Sequence, residues 1–404
     1  MMSDRFQQLV SGLKERPSVD QLIPEPDLVV KLEKSKATGK PLRIKLGIDP
    51  SAPHLTLGHS IPLHKMRQFQ DLGHTGVLVV GDFTRRIGDP SGRSSTRALM
   101  TQKDIERNMS TYVEQAFKIL DPEHTEIRYN SEWLGKLTFA DVISLTAKYT
   151  VARILERDDF AKRFAGNLPI SILELLYPLA QAYDSVAIHA DVELGGSDQL
   201  FNLLVGRDIQ REYGQEPQVI LTVPLLIGTD GVRSMSQTVG NYVGIGEPPS
   251  EMYGKILSIP DDLLHEYFYQ LTNVEMAETE SLIENSPRDA KRKLALEIVG
   301  HYHDKDVAVA AQKEFDRIHI KHERPSDVPQ VKINRELLKD GNVIWVISLL
   351  QASGLVTSRG EAKRLITQGG VKINDEKITS PELELPFEPP MLIQVGKRSF
   401  VEAV

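Results

Sequence analysis

Two strand patterns joined by a helical pattern constrain the fold of this chain more than any other feature of its sequence. Residues 43–49 alternate as a strand does, and residues 76–82 form a β-branched run closed by glycine and aspartate. Residues 60–72 between them have helical spacing. A strand, a helix and a strand in succession form a βαβ unit, which predicts a parallel sheet that binds ligands at the carboxyl ends of its strands.

Length and composition restrict the class of protein. The chain has 404 residues, more than one typical domain, so we expect two or three folding units. It has no cysteine, which excludes disulfides, thiolate zinc sites and cysteine nucleophiles. The net charge is −8, so any site for RNA must be a local basic patch. Residues 1–19 lack the apolar core of a signal peptide and no run is long enough to span a membrane, so we expect a cytoplasmic protein without a membrane partner.

Changes in periodicity along the chain predict its domains. We expect a parallel-sheet domain over residues 1–245, a helical insertion at about 101–170, a helical domain over 246–325, a linker over 326–341 and a small terminal unit over 342–404.

Within the first domain, four shorter segments carry their own predictions. Residues 4–40 and 170–183 read as helical, residues 192–196 as a short loop and residues 218–227 as an apolar strand.

The first motif with chemical meaning is the turn-rich stretch 47–59, which leaves the first strand and enters a helix. A helix N-terminus presents free N–H groups and a positive dipole end, so this stretch suits phosphate. The simpler alternative is a strand-to-helix turn with an incidental histidine.

The second motif follows the second strand and covers residues 81–84 and 87–93. Its glycine turns place Asp89 where it can hold an ammonium group, while Arg93 and Arg97 can bind phosphate. A surface loop rich in turn-forming residues is the alternative.

Two further motifs lie between residues 177 and 199. Tyr177, Gln181 and Asp184 fall on nearly one face of a helix, where a buried carboxylate needs a partner. A capping network is the alternative. Residues 194–199 then contain two glycines, which let the backbone approach a ligand closely.

The terminal unit carries a fifth motif. Residues 353–366 predict a helix that presents Arg359, Lys363 and Arg364 on one side, where phosphates can be neutralised, and Lys372 follows. A solvated charged helix face is the alternative.

Together these motifs resemble a known family. GxDP followed by LGH is similar to the ATP signature of class I aminoacyl-tRNA synthetases, GDPSG is similar to the tyrosyl family among them, and the terminal unit resembles the S4 RNA-binding domain. The resemblance implies an α/β fold: a Rossmann-like parallel-sheet catalytic domain with a helical insertion, a helical domain and a small α+β S4 domain. It also implies activation of L-tyrosine by ATP with Mg²⁺, transfer to tRNA, and a homodimer. No resident metal is expected.

The resemblance also implies roles for individual residues. Those implied to bind ATP are Gly47, Asp49, Gly58, His59, Asp198, Ser234, Met235, Ser236 and Gln237. Those implied to bind tyrosine are Lys45, Thr84, Asp89, Tyr177, Gln181, Asp184 and Gln199. Those implied to act in catalysis are Ser51, Thr56, His59, Arg93, Arg97, Arg233 and Thr238, and those implied to bind RNA are Arg359, Lys363, Arg364 and Lys372.

Three positions depart from the family pattern. Where the family carries a second ATP signature of lysine, methionine, serine, lysine and serine, this chain has Ser234 and Gln237 at the two lysine positions, and Thr56 replaces the first histidine of the earlier signature. Losing one donor to developing charge typically costs about 10² to 10³ in rate. Arg233 is the expected substitute. Two alternatives stay open: an impaired paralogue that binds tyrosine and RNA, or an amino-acid-activating enzyme of a biosynthetic pathway.

Overall fold

The computed structural model describes residues 2–50, 54–89, 102–320, 328–396 and 399–404, and the chain divides into two compact units, Met1–Lys305 and Asp306–Val404. The division lies inside the segment 246–325 that the sequence predicts as a helical domain. No helix in the described ranges is both long enough and apolar enough to cross a membrane.

The first unit contains six strands and fifteen helices within its described residues. The strands are β1 Gln21–Ile23, β2 Arg43–Ile48, β3 Thr75–Val80, β4 Thr125–Tyr129, β5 Val192–Gly196 and β6 Val219–Val223. The helices are α1 Met2–Leu13, α2 Glu25–Thr38, α3 Leu57–Asp71, α4 Thr84–Ile87, α5 Gln102–Ala116, α6 Ser131–Leu134, α7 Phe139–Thr146, α8 Val151–Ile154, α9 Asp158–Ala165, α10 Ile172–Ile188, α11 Leu200–Glu212, α12 Pro249–Leu257, α13 Leu264–Leu271, α14 Met276–Asn285 and α15 Pro287–Tyr302.

The six strands form one sheet in the order β1-β6-β5-β2-β3-β4. All neighbours are parallel except β1, which runs antiparallel to β6. From β2 the chain moves outward through β3 to β4, then returns to the other side of β2 with β5 and β6. The direction of winding therefore reverses between β2 and β5, and the carboxyl ends of the strands beside that reversal are where an open sheet leaves a crevice for a ligand.

Burial on both faces explains why the central strands read as continuous apolar runs. Every residue of β6 is buried, as are residues 76–80 of β3. A parallel strand covered by helices on both faces needs apolar side chains throughout, and each fully buried Val, Leu or Ile contributes about 1.5–3 kcal/mol.

Three sequence expectations about elements are wrong. The segment predicted as a helical insertion contains β4, which pairs with β3 at the sheet edge, and residues 192–196, predicted as a loop, form β5 in the sheet centre. Residues 21–23, inside a stretch read as helical, form β1. These strands are three to five residues long, which is too short for a helical or a strand period to be recognised in the sequence. Pairing with distant strands determines their conformation.

Two helices that enter the site are fixed by their first turns. The Thr56 hydroxyl accepts from the His59 backbone N–H while the His59 ring takes the Thr56 N–H, which makes a capping box for α3. Ser171 and Glu174 make the same motif for α10, and Glu174 also pairs with Arg163 at 2.7 Å. Such caps satisfy backbone donors that the helix leaves open.

The second unit is a small α+β structure. It contains α16 Lys305–His319, which begins at the division, α17 Val346–Ala352 and α18 Arg359–Thr367. Its strands are β7 Gln330–Val331, β8 Leu338–Lys339, β9 Val343–Trp345, β10 Val371–Ile373, β11 Glu376–Lys377, β12 Glu384–Pro386, β13 Met391–Val395 and β14 Ser399–Ala403. They form sheets in the orders β11-β10-β13-β14-β7 and β12-β9-β8. Two of them, β7 and β8, lie in the segment read from sequence as a linker.

Candidate active site

A cavity of about 360 Å³ opens at the carboxyl ends of β2, β3, β5 and β6. Most of the residues that the sequence nominates for ATP, for tyrosine and for catalysis line it together, although they come from positions up to 191 residues apart. These residues are Gly47, Asp49, Thr56, Gly58, His59, Thr84, Asp89, Tyr177, Gln181, Asp184, Asp198, Gln199, Ser234, Met235, Ser236, Gln237 and Thr238.

One end of the cavity is built around the carboxylate of Asp184, which is 3% exposed. The indole Nε1 of Trp133 donates to its Oδ1 at 2.8 Å, and the amide of Asn130 donates to its Oδ2 at 3.3 Å. Burial raises the pKa of this carboxyl to about 7, and the opposing charge of Lys45 and the two donors do not cancel that effect. Asp184 is therefore a desolvated acceptor that gains from any further donor placed in the cavity.

The middle of the cavity is a chain of hydrogen bonds centred on Asp49. Tyr177 donates its phenol to Asp49 Oδ2 at 3.1 Å, and Thr84 donates to Oδ1 at 2.9 Å while accepting from Asn130 at 3.0 Å. Burial, and then the charge of Asp89, raise the pKa of Asp49 to about 6. Asp49, nominated from sequence for ATP, is thus hydrogen-bonded to two residues that were nominated for tyrosine.

A second carboxylate, that of Asp89, also lines the cavity. The amide of Gln199 donates to Asp89 Oδ2 at 2.9 Å, and Asn202 fixes that amide by donating to Gln199 Oε1 at 3.0 Å. The guanidinium of Arg157 lies 3.5 Å from Asp89 Oδ1. A carboxylate with these partners can accept from one more cationic group.

His59 enters the cavity as a neutral hydrogen-bond donor. The backbone N–H of Thr56 donates to His59 Nδ1 at 3.2 Å, so Nδ1 carries no proton and Nε2 carries one. Burial lowers the pKa of the imidazole to about 4, which keeps it uncharged at neutral pH. Thr56, which stands in place of the family histidine, caps the N-terminus of α3.

The second signature loop closes on the same end of the cavity. Its backbone is tied by Asn241, whose Oδ1 accepts from the Ser236 N–H at 2.8 Å and whose amide donates to the carbonyl oxygens of Arg233 and Ser234. Gln237 donates its side-chain amide to the carbonyl of His54. The neutral side chains at the two lysine positions therefore face the ligand space from an ordered loop.

The charge balance of the described cavity wall is negative. Four aspartates line it, Asp49, Asp89, Asp184 and Asp198, and the described lining contains no lysine or arginine. Arg233, the expected substitute for a lost lysine, is absent from the described lining and pairs with Asp230 at 2.9 Å. Ser51, Arg93 and Arg97, also predicted to contact phosphates, lie outside the described residues.

Lys45, nominated from sequence for tyrosine, does not line the cavity. Its side chain is fully buried behind the wall and pairs with Glu193 at 2.8 Å. Because successive side chains of a strand point to opposite faces of the sheet, Lys45 points away from the face of its two neighbours in β2. The alternation alone does not tell which of the two faces carries the cavity.

Two contributors, Trp133 and Asn130, were missed from the sequence, and a third, Gly81, lay in the second motif without a role of its own. Trp133 and Asn130 come from the segment after β4, which carried no motif. Gly81 lines the cavity at the end of β3, where a Cβ atom would overlap the carboxylate of Asp49 and the hydroxyl of Thr84. A glycine that closes a buried strand beside a nominated aspartate is the signal that could have identified Gly81.

The basic residues of the second unit form a separate feature. Arg359, Lys363 and Arg364 are exposed on α18, while Ala362 and Ile366 bury the other side of that helix. Lys372 is exposed on β10 and stands opposite Lys377 of β11. The four predicted RNA-binding residues are thus all accessible to a large anionic ligand.

Comparison with known proteins identifies relatives of the chain. Residues 36–319 match the family described as tRNA synthetases class I (W and Y), and residues 345–388 match the S4 domain. The chain is 52% identical to the tyrosine–tRNA ligase of Moorella thermoacetica over 95% of this chain and 93% of that protein. It is also 52% identical to the tyrosine–tRNA ligase of Thermotoga maritima, over 95% and 94%.

Solved structures agree on the fold. A tyrosyl-tRNA synthetase from Archaeoglobus fulgidus, crystallised with L-tyrosine, aligns with a TM-score of 0.58 at 18% identity, over 76% of this chain and 99% of that chain. Identity this low supports the architecture alone.

Proposed function

The chain belongs to the family of class I tRNA synthetases for tryptophan and tyrosine, and we propose that it is a tyrosine–tRNA ligase. It joins the tyrosine carboxylate to the α-phosphorus of ATP, releases pyrophosphate, and then transfers the tyrosyl group to the terminal ribose of tRNA. The observation that carries the choice of tyrosine is Asp184, a buried acceptor in the lining of the cavity. Both alternatives from the sequence are less favoured, since the likeness to ligases covers nearly the whole chain.

The phenol of tyrosine fits the Asp184 end. Asp184 already takes donors from Trp133 and Asn130, and a phenol hydroxyl adds the third. Phenylalanine offers no donor, so the carboxylate keeps its desolvation cost and gains nothing. Discrimination between the two amino acids follows from that difference.

The amino-acid ammonium fits beside Asp89. Asp89 supplies a carboxylate, Tyr177 and Gln181 supply polar oxygens, and Gln199 holds Asp89 in place. Thr84 contributes indirectly by fixing Asp49 beside Tyr177. The reacting carboxylate is ionised at neutral pH, so no general base is required.

ATP lies toward the N-terminus of α3 and the signature loop. Gly47 and Gly58 leave room for close approach, Asp198 suits the ribose, and His59 offers a neutral N–H donor. The loop residues supply backbone and hydroxyl donors, namely Ser234, Met235, Ser236, Gln237 and Thr238.

The negative charge that develops on pyrophosphate must be neutralised by groups other than the two signature lysines, which this chain lacks. We assign this role to Arg93, Arg97 and Ser51, and to Mg²⁺ that enters with the ATP phosphates. The described lining contains no lysine or arginine, so the phosphates need cations from elsewhere, and Mg²⁺ arrives as part of the substrate complex. Arg233 can join them once it leaves Asp230, since an exposed ion pair is weak.

Tyrosine-dependent exchange of pyrophosphate into ATP tests the first step. The unmodified chain is expected to catalyse exchange with tyrosine and far less with phenylalanine, and Asp184→Ala is expected to narrow that preference. Calorimetry with tyrosine and with a nonhydrolysable ATP analogue on the same proteins separates binding from chemistry. Tyrosine binding without exchange would instead indicate an impaired paralogue, and equal binding of phenylalanine would refute the tyrosine assignment.

The second unit supplies the proposed contact with tRNA. Arg359, Lys363, Arg364 and Lys372 are exposed cations that can neutralise phosphates without reading bases. Lys363→Ala with Arg364→Ala should weaken tRNA binding and reduce its salt dependence, while exchange stays intact. Lys339→Ala, another exposed lysine of this unit, is the control, and an equal loss there would contradict a localised site.

We further propose a homodimer, located in the cytoplasm where tRNA is charged. Large apolar side chains are exposed over residues 139–173, with Phe139 at 80% and Ile172 at 78%. The full set is Phe139, Ile143, Val151, Phe164, Leu168, Ile172 and Leu173. Monomers seldom expose so many in one segment. Light scattering on Phe139→Asp should give a monomer, whereas Val30→Asp, on α2, should not change the mass.

A further inference from the structure

A buried ion pair lies behind the cavity wall and has no part in the proposed chemistry. Lys45 Nζ is 2.8 Å from Glu193 Oε1, and the two side chains are 0% and 1% exposed. The same ammonium donates to Ser185 Oγ at 2.8 Å and to the Gln181 carbonyl oxygen at 3.0 Å. All three ammonium protons are therefore matched by acceptors.

Glu193 is equally well supplied with donors. It accepts from Ser185 Oγ at 3.1 Å and from the side-chain amide of Gln218, and the amide nitrogen of Gln181 lies 3.5 Å from its Oε1. A carboxylate has only acceptors, so the Gln181 carboxamide must turn its NH₂ group toward it. Lys45 contributes by holding both the carboxylate and the Gln181 backbone.

The consequence appears on the cavity side of Gln181. Its Oε1 is buried, and among the described residues it has no hydrogen-bond partner. Gln181 lines the cavity, so this oxygen is available to a donor in the ligand. A buried acceptor without a partner costs free energy until a ligand supplies one.

We propose that the Lys45–Glu193 pair positions the Gln181 carboxamide so that its oxygen receives the ammonium group of the amino-acid substrate. The inference rests on the proposed function, since it takes tyrosine as that substrate. If the carboxamide turned over, its NH₂ group would face the ammonium and repel it. Lys45 and Glu193 are thus positioning residues that act through Gln181.

The test needs a variant that loses the pair and still folds. Removing one partner leaves a buried charge alone and is strongly destabilising, whereas neutral groups of similar volume in place of both are often tolerated. Lys45→Met with Glu193→Gln is such a variant. It removes one positive and one negative charge, whose effects on Asp184 oppose each other. Ser185→Ala, which keeps the ion pair, is the matched control, and thermal unfolding verifies that both proteins fold.

Three ligands separate positioning from a general structural role. Tyrosine and tyramine carry an ammonium group, whereas 3-(4-hydroxyphenyl)propionate has the same phenol without one. In the double variant we expect binding of tyrosine and tyramine to weaken by about 10- to 100-fold, the range for a hydrogen bond to a charged group, and binding of the propionate to change little. Ser185→Ala should show a much smaller effect.

A double-mutant cycle with Gln181→Ala completes the test. Once the carboxamide is absent, loss of the ion pair should weaken tyrosine binding no further, because its effect passes through Gln181. Equal weakening of all three ligands, full affinity in the double variant, or additive effects with Gln181→Ala would each overturn the inference. Absence of tyrosine binding by the unmodified chain would overturn the proposed function itself and the inference with it.

Discussion

Replacing Asp184 by asparagine should make the protein more stable at alkaline pH relative to the unmodified chain. Burial raises the pKa of Asp184 from 3.8 to about 7. A carboxyl with a raised folded-state pKa contributes stability that is fully present below the unfolded value and is lost as the pH rises through the folded value. The loss therefore falls between pH 4 and pH 7 and is complete above that range. Asparagine does not titrate, so the variant does not lose stability in this pH range.

The size of the effect follows from the two pKa values. At pH 5 the unfolded chain has already released the proton, while the folded chain keeps it until about pH 7. The interval of about two pH units, at about 1.36 kcal/mol each, corresponds to about 2 to 3 kcal/mol. Asparagine places a second NH₂ group opposite Asn130, at a cost of about 1 kcal/mol that does not depend on pH. Only the change with pH is therefore diagnostic.

Urea unfolding at pH 5 and pH 8.5 measures this change. Trp345→Phe in both proteins leaves Trp133, in the first unit, as the only tryptophan reporter. The difference in unfolding free energy between variant and unmodified chain should move by about 2 to 3 kcal/mol in favour of the variant from pH 5 to pH 8.5. A difference that is the same at both pH values would refute the argument, because it would mean that Asp184 is not desolvated in the folded chain.

Three further outcomes follow from the site. Gly81→Ala should abolish adenylate formation with a loss of more than about tenfold in tyrosine affinity, measured by exchange and calorimetry, because the new Cβ overlaps Asp49. Ser234→Lys with Gln237→Lys should raise the rate of adenylate formation more than tyrosine affinity in single-turnover assays, since contacts to departing pyrophosphate act in the transition state. Arg364→Ala alone should make the dependence of log affinity for tRNA on log salt concentration less steep, with the magnitude of the slope smaller by about 1 in filter binding.

The predicted site residues that the structure brings together share a local cause. The Tyr177, Gln181 and Asp184 face follows from helical spacing alone, and all three line one cavity. The buried strands β3 and β6 can also be recognised in the sequence, because burial on both faces leaves few polar residues in them. Local period and motif order were sufficient for these elements.

Long-range contacts decide what the sequence could not reveal. β5 is a strand because it is inserted between β2 and β6, and its residues 192–196 end in two glycines that locally favour a loop. The position of Lys45 depends on Glu193, 148 positions later, which makes a buried ammonium tolerable. The partners of Asp184 come from a segment without any motif, so only the folded chain brings them together.

The edge of the main sheet determines when this chain can finish folding during synthesis. β1 pairs with residues 220–222, and the neighbouring Arg16 donates to the carbonyl of Val274 at 2.5 Å. Residues 16–23 thus wait for partners, residues 220–222 and Val274, that are synthesised much later, which is a closure of high contact order. Until residues 219–223 are synthesised, β1 and β5 lack the strand that lies between them, and unpaired strand edges invite association with other nascent chains. A chain that stops short of residue 219 therefore leaves these strand edges unpaired and open to aggregation.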